Sequence, residues 1–527
     1  MGSANVFTVV VFAVLLGLTI AIVVRASRRM TSTTQFWAAG RSVSGVQNGV
    51  ACAGDFLGAT TMLGSVGLIM LFGFDGALYS LGWLVGFLTL LLFVAERLRN
   101  AGRFTVSDAL VLRLNERPIR TAVAANTVVI AVALLVTQLI AGGVLLQALA
   151  GVNYSVGVLI TTVGLISYVL FGGMISVTWL QVVKALVMLA VSGVAAIWVL
   201  AKVGFDPGVL LSRAAANSPA GPRFLLPGLY LKSMVNTVSL GIALVFGVAG
   251  LPHLLMRFFT VPDTRSARRS IAWAVGLIGL VYLFTIVIGL GTRAYLSADE
   301  VAAAGPGGNL AAPELVQWLG GGADAWGGRL FLAIFAAAAF ATVLAYVAGL
   351  VIAGSSAVSH DIFARTIRRG RVSDRDEVRM ARLATVGIGV VGIVLALSLR
   401  DNNIVFLAGL AYAIAASTNF PVLVLALFWR RLSTTGAVAG IAVGMLSAVV
   451  LIGLSPGVWP GAHPPVGLTS PAIVSVPLAF LTCWAVSLLR PDPRAQRLFP
   501  RLSVRAATGI GAEGSVESGT VEKGRHR

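Results

Sequence analysis

The sequence predicts an all-α integral membrane protein with about thirteen transmembrane helices. Apolar runs of about 20 residues recur along the chain, each long enough to cross about 30 Å of hydrocarbon as a helix. The composition agrees: 57% of the 527 residues are hydrophobic, only 11% are charged, and the mean hydropathy is +0.92, outside the range of soluble domains. The basic residues are distributed as membrane topology demands, which is the third observation.

Taken in order, the expected spans are 5–24, 45–73, 76–96, 119–149, 153–175, 178–203, 233–259, 271–296, 328–353, 380–400, 402–428, 433–455 and 471–489. The first lacks a basic stretch before it and a small-residue cleavage site after it, so it reads as a retained span rather than a signal peptide. With the N-terminus outside, 31 of the 39 Lys and Arg residues fall in cytoplasmic segments, seven fall outside, and Lys184 alone lies within a span. That split favours an external N-terminus and a cytoplasmic C-terminus in a plasma (inner) membrane. It also removes nucleic acid as the reason for a formal charge of +19, because charges beside an anionic leaflet serve topology and lipid contact. Cys52 and Cys483 both sit in apolar runs and imply no disulfide framework.

The organisation follows from the spans. Residues 1–44 hold the first helix and a cytoplasmic linker, and 204–232 form an external loop rich in Gly, Pro and Ala. Two further helices occupy 429–489, and 490–527 form a cytoplasmic, largely disordered tail that turns polar from about Ala506. Between these lie two groups of five spans, 45–203 and 233–428. Five is odd, so the groups run in opposite orientation as an inverted repeat. Each opens on a segment interrupted by small residues, "GVACAGDFLGATTMLG" in the first and "SLGIALVFGVAGLPH" in the second, where Gly247, Gly250 and Pro252 break the helix. Interrupted spans at matching places in two halves point to the binding site of a secondary transporter.

Four stretches carry a resemblance: "FWAAGRSVSGVQNGVACAGDFLGATTMLG" at 36–64, "GGMISVTWLQVVKALV" at 172–187, "GVAGLPHLLMRFFTVPD" at 247–263 and "AGSSAVSHDIF" at 353–363. Together they resemble the sodium:solute symporter family, and within it the cation/acetate symporter branch, over about 36–490. The resemblance implies a five-plus-five inverted-repeat fold and uptake of short monocarboxylates such as acetate, driven by a cation gradient; the residues themselves leave sodium ion or proton open as the coupling ion. It also implies a cation site built from backbone carbonyls near Asn48 and Ala51 and from the region of Thr342, Ala345 and Tyr346. Tyr346 stands where acetate symporters have a threonine, and Ala345 offers no oxygen; sodium wants several hard oxygens close together. Trp179 replaces an aspartate of the wider family, a departure the acetate branch shares.

Ala53, Gly54 and Asp55, with Gly247 and Gly250 at the second break, are the expected substrate-binding positions. Asp55 has two readings: a cap for a half-helix beginning near Phe56, or a carboxylate that handles ion or substrate, since charge in hydrocarbon faces a cavity or a partner. Lys184 also has two: a snorkelling side chain, or an ammonium that opposes a substrate carboxylate or replaces a bound cation, with Thr178 and Gln181 beside it. His253 has no partner at metal-ligand spacing, so no metal beyond sodium is implied. His360 and Asp361 suit a helix-end cap or gate contact. The many GxG patterns carry no nucleotide-binding weight in a chain with 60 glycines, and nothing points to ATP or to an enzyme.

The reading is therefore a symporter that moves an acetate-, propionate- or pyruvate-like anion. Rivals are a symporter for proline, a sugar or pantothenate, a passive channel, and a transporter-like sensor, for which a tail of 38 residues after Leu489 is short. The topology is directly testable: reporter fusions after Arg99 and Arg371 should report cytoplasm and one near Asn217 the outside, and a cytoplasmic signal at Asn217 would overturn the span order.

Overall fold

Backbone polar groups in hydrocarbon need internal partners, and among the described residues the chain supplies them with helices and no strands. The computed structural model describes residues 7, 9–14, 17, 43–101, 106–171, 174–256, 261, 264–305, 307–369, 371–459 and 463–509. Of the expected first span, 7, 9–14 and 17 are described and all are helical; the rest of 5–24 and residues 510–527 lie outside the described residues.

Among the described residues, ten helices are long and apolar enough to span a membrane, or eleven if a bent pair is taken as one span. The pair is α1 (Gly45–Phe56) and α2 (Thr60–Phe72), which meet at 54°. The others follow as α3 (Phe74–Ala101), α4 (Glu116–Ala150), the shorter α5 (Tyr154–Phe171), α6 (Met174–Lys202), α7 (Met234–Leu255), α8 (Arg265–Tyr295), α9 (Trp326–Ile367), α10 (Asp374–Ser398), α11 (Ile404–Phe428), α12 (Thr434–Gly453) and α13 (Ala472–Leu489). Helix α9 runs well past its expected end at 353, because a wide π-type stretch, Ala357–Ile367, continues it. A further helix, α14 (Pro493–Thr508), occupies the first part of the tail 490–527; most of the stretch expected to be disordered, from about Ala506, lies outside the described residues.

Ser44 starts α1 with a capping box: its hydroxyl accepts from Gln47 N at 3.3 Å and Gln47 Oε1 accepts from Ser44 N at 3.3 Å. Small residues then let α1 sit deep between its neighbours. A Cβ on Gly49 would stand 2.5 Å from Ser270 O of α8, and one on Gly54 would stand 2.1 Å from Gln181 O of α6. Glycine is required wherever backbones approach this closely. The same device joins α12 to α13, where Gly436 and Gly440 lie against Ser487 and Cys483; Cys483 is a packing thiol, buried as Cys52 is.

Helix α11 is the centre of the bundle, with 89% of its apolar window buried. Its C-terminal carbonyls converge on Arg113, which is 1% exposed. The guanidinium donates to Ala426 O and Trp429 O at 2.9 Å, to Leu432 O at 3.0 Å, to Ala495 O of α14 at 3.1 Å, and to Arg430 O. Burial lowers the Arg113 pKa to about 10, while the Asp492 carboxylate works to raise it. One arginine thus ties α11 to α14. Arg113→Ala should leave these carbonyls without a donor at a cost on the order of 3 kcal/mol, read as a lower melting temperature of the purified protein; an unchanged melting temperature would show that α11 does not depend on the contact.

Candidate functional site

The two interrupted helices meet beside α11, and asparagine amides donate to backbone carbonyls at both interruptions. In α7 the helix stops at Val248 and restarts at Pro252. Asn419 Nδ2 of α11 donates to Gly250 O at 2.7 Å, and Asn126 Nδ2 of α4 donates to Asn419 Oδ1 at 2.8 Å. At the first interruption, α1 ends at Phe56 and a wide turn, Thr60–Ser65, opens α2. Asn403 Nδ2 there donates to Gly64 O at 3.1 Å.

A small cavity of about 20 Å³ lies at the first interruption, about enough for one water. Gly58, Thr60 and Thr61 form one side, and Phe56, Trp83, Tyr346 and Tyr412 form the aromatic walls. Phe56 meets Trp83 edge-on at 5.6 Å between ring centroids, and Trp83 meets Tyr412 at 5.5 Å. Gln138 Nε2 of α4 donates to Thr60 Oγ1 at 2.6 Å. Two buried polar atoms of the lining have no hydrogen-bond partner among the described residues: the indole Nε1 of Trp83, a donor, and Gln138 Oε1, an acceptor. Unpaired polar atoms buried in a cavity are expensive; an accepting ligand oxygen would relieve the indole N–H, and a donating group would relieve Gln138 Oε1.

A second cluster lies where α1, α6 and α9 meet. Asp55 is 3% exposed and sits in the last turn of α1, one residue before its end. The expectation that it caps a half-helix beginning near Phe56 is therefore corrected: the second half starts at Thr60, and Asp55 is at a helix C-terminus. That is the unfavourable end for a carboxylate, because the terminal carbonyls are themselves negative. A Cβ on Gly349 of α9 would lie 3.9 Å from Asp55 Oδ1, and Asp55 is within electrostatic reach of Tyr346. Lys184 Nζ of α6 lies 5.7 Å from the centroid of the Tyr346 ring, close enough for a cation–π contact. The ring of His253 is 5.6 Å from that of Tyr346. Tyr346 thus links this cluster to the cavity.

The remaining candidates separate. Ala51 and Ala53 are fully buried in α1. Asn48 turns its side chain to α8, donating to Ser270 Oγ at 3.2 Å. Thr342 is buried and donates to Ala339 O at 2.5 Å within its own helix; the side chains of Ala345, Thr178 and Trp179 lie outside the described residues. Gly54, Gly247 and Gly250 do not line the cavity. A Cβ on Gly247 would stand 2.5 Å from Tyr412 O, and one on Gly250 would stand 2.4 Å from Ala415 O, so these glycines admit a neighbouring helix. His360 Nδ1 pairs with Glu377 Oε1 at 2.9 Å, and Asp361 pairs with Arg120 at 2.7 Å. Arg120 also holds Asp108 and Glu116, each at 2.9 Å, so both residues of the expected gate contact join helices at the arginine-rich end. Among the described residues no three His, Cys, Asp or Glu side chains are grouped to hold a metal.

The model of the sodium:solute symporter family matches residues 36–444. The chain belongs to the sodium:solute symporter family. It is 40% identical over 517 residues to the uncharacterised symporter YwcA of Bacillus subtilis (strain 168), covering 97% of this chain and 99% of that protein. Its fold is similar to that of a Na+-coupled sialic acid symporter in its substrate-bound outward-open state, with a TM-score of 0.72, 16% identity, and coverage of 93% of this chain and all of the other. A nucleobase-cation-symport-1 family transporter, closed with bromovinylhydantoin bound, gives a TM-score of 0.52 at 13% identity, over 90% of this chain and 99% of that one. The protein is a multi-pass secondary active symporter, not an enzyme.

Gln138, Thr60, Trp83 and Tyr412 were not singled out by sequence. The one local signal was the polar pair Thr137 and Gln138 in the middle of an otherwise apolar run. Trp83→Phe keeps the aromatic wall and removes the unpaired N–H. It should raise the transport KM on the order of tenfold, the scale of one lost hydrogen bond in a dry site, with the melting temperature unchanged; an unaltered KM would remove Trp83 from the site.

Proposed function

We propose that the protein imports a short monocarboxylate of the acetate, propionate or pyruvate class by symport with a cation, through alternating access. The supporting observation is the cavity at the α1/α2 interruption. Closed in this structure to room for about one water, it must widen during alternating access to admit a carboxylate; it is aromatic-walled and sparingly polar, and it offers an unpartnered indole N–H beside the start of α2, whose partial positive charge suits a carboxylate. A sugar would need many more hydrogen-bonding groups than Gln138, Thr60 and Thr61 supply, which weighs against the rival reading of a sugar, proline or pantothenate carrier. Residues 45–203 and 233–428 act in this reading as two inverted halves, each opening on an interrupted helix, with the arginine-rich end in the cytoplasm of a plasma-membrane protein.

The cation belongs between α1, α6 and α9. Asp55 and the C-terminal carbonyls of α1 supply negative potential there, and the Lys184 ammonium beside Tyr346 supplies a fixed positive charge of the kind a bound sodium would bring. A fixed charge at that place favours coupling to protons over coupling to sodium, for which Thr342 and the carbonyls near Ala51 remain the ligands.

Two measurements test the proposal. Counterflow in proteoliposomes should load labelled acetate, propionate or pyruvate, and saturable uptake of proline or a sugar that these acids do not inhibit would sink the assignment. Uptake driven by an imposed pH gradient should proceed without sodium, and Asp55→Asn should abolish accumulation while sparing exchange; strict dependence on added sodium would reverse the choice of ion.

A further inference from the structure

Helix α14 follows α13 after only residues 490–492. The four steps from Leu489 to Pro493 reach at most about 14 Å fully extended, so α14 begins in or next to the headgroup layer that flanks the hydrocarbon. It is held there along its length. Asn100 Nδ2, at the end of α3, donates to Ala506 O at 3.0 Å, Arg505 Nε donates back to Asn100 O at 3.0 Å, and Arg113 Nε donates to Ala495 O at 3.1 Å.

The helix is amphipathic. Ala495, Leu502 and Ala506 are buried against the bundle, while Arg494, Arg497 and Arg501 recur at i, i+3 and i+7, share one flank, and are exposed. None of the three joins an ion pair among the described residues. Arg430 and Arg431, exposed just beyond α11, add charge at the same end of the bundle. A row of unneutralised guanidiniums fixed at headgroup depth matches one partner by charge and by position.

We propose that this flank of α14 binds the headgroups of anionic phospholipids, and that lipid bound there steadies α11 through Arg113. Guanidinium suits a phosphate diester because its planar fork can donate two parallel hydrogen bonds. Arg113 passes the effect inward, since it holds α14 at Ala495 and α11 at Ala426, and α11 carries Ala408 and Tyr412 of the cavity lining. The inference is independent of which solute is carried.

The test titrates phosphatidylglycerol or phosphatidylcholine into the purified full-length protein in neutral detergent and follows the melting temperature. Phosphatidylglycerol should raise it and phosphatidylcholine should not, with the effect suppressed in roughly 0.5 M salt, where exposed charges are screened. R494Q/R497Q/R501Q should need on the order of 100-fold more phosphatidylglycerol for half the effect, while R494K/R497K/R501K should stay near the parent. Equal responses to the two lipids, an equal response to inorganic phosphate, or an unchanged titration in the glutamine variant would overturn the proposal. Should that variant fail to purify, a phosphatidylglycerol effect on the parent that survives high salt overturns it as well.

Discussion

An interrupted helix inside hydrocarbon leaves backbone groups that water cannot reach, and the rest of this structure depends on how they are satisfied. The chain answers with asparagines on α11. Asn403 reaches Gly64 O in the first interruption and, at 2.6 Å, Gly307 O in a loop, while its own Oδ1 accepts from Val405 N at 2.8 Å to start α11. Asn419 reaches Gly250 O in the second. One helix therefore braces both openings, and its position at the centre of the bundle follows from that duty.

Around the brace, specificity of packing comes from absence of side chain rather than from bulk. Apolar residues gain little by leaving lipid for protein, so close backbone approach must supply the contact. Gly49, Gly54, Gly247 and Gly250 each admit a carbonyl of the neighbouring helix. Among the described residues of the spans, Asp55 and Lys184 stand apart from the charge gathered at the helix ends. At the ends it does more than set orientation: Arg113 and Arg120 are buried, one serving carbonyls and the other three carboxylates.

The all-helical class, ten of the apolar spans and the breaks near Phe56 and Gly250 were legible in the sequence because length, apolarity and Gly or Pro at breaks are local properties. The position of Asp55 was legible only in part. Its neighbourhood to a break is written in "AGDFLG", but whether it precedes or follows the break depends on a wide turn that no local residue announces. Gly247 and Gly250 were legible as breaks, but the close approach they allow to the Tyr412 and Ala415 carbonyls was not, because those partners are more than 160 residues away in the chain. Trp83 and Tyr412 gave no signal, since an aromatic residue in an apolar span looks the same whether it faces a cavity or lipid. Helix α14 was hidden by its charge, which lowers hydropathy although every turn keeps one small or apolar residue for the bundle.

Asp75 shows what such fixing means for motion. Its carboxylate, fully buried in the first turn of α3, accepts from the backbone N–H groups of Gly228 at 3.1 Å, Tyr230 at 2.7 Å and Leu231 at 2.9 Å. The helix N-terminus and three donors offset the burial of that charge. In mechanical terms the loop and α3 are one lever: Tyr230 forms part of a surface basin of about 660 Å³, and Trp83, two turns along the same helix, walls the central cavity. Any tilt of α3 that widens one of these spaces reshapes the other in the same stroke.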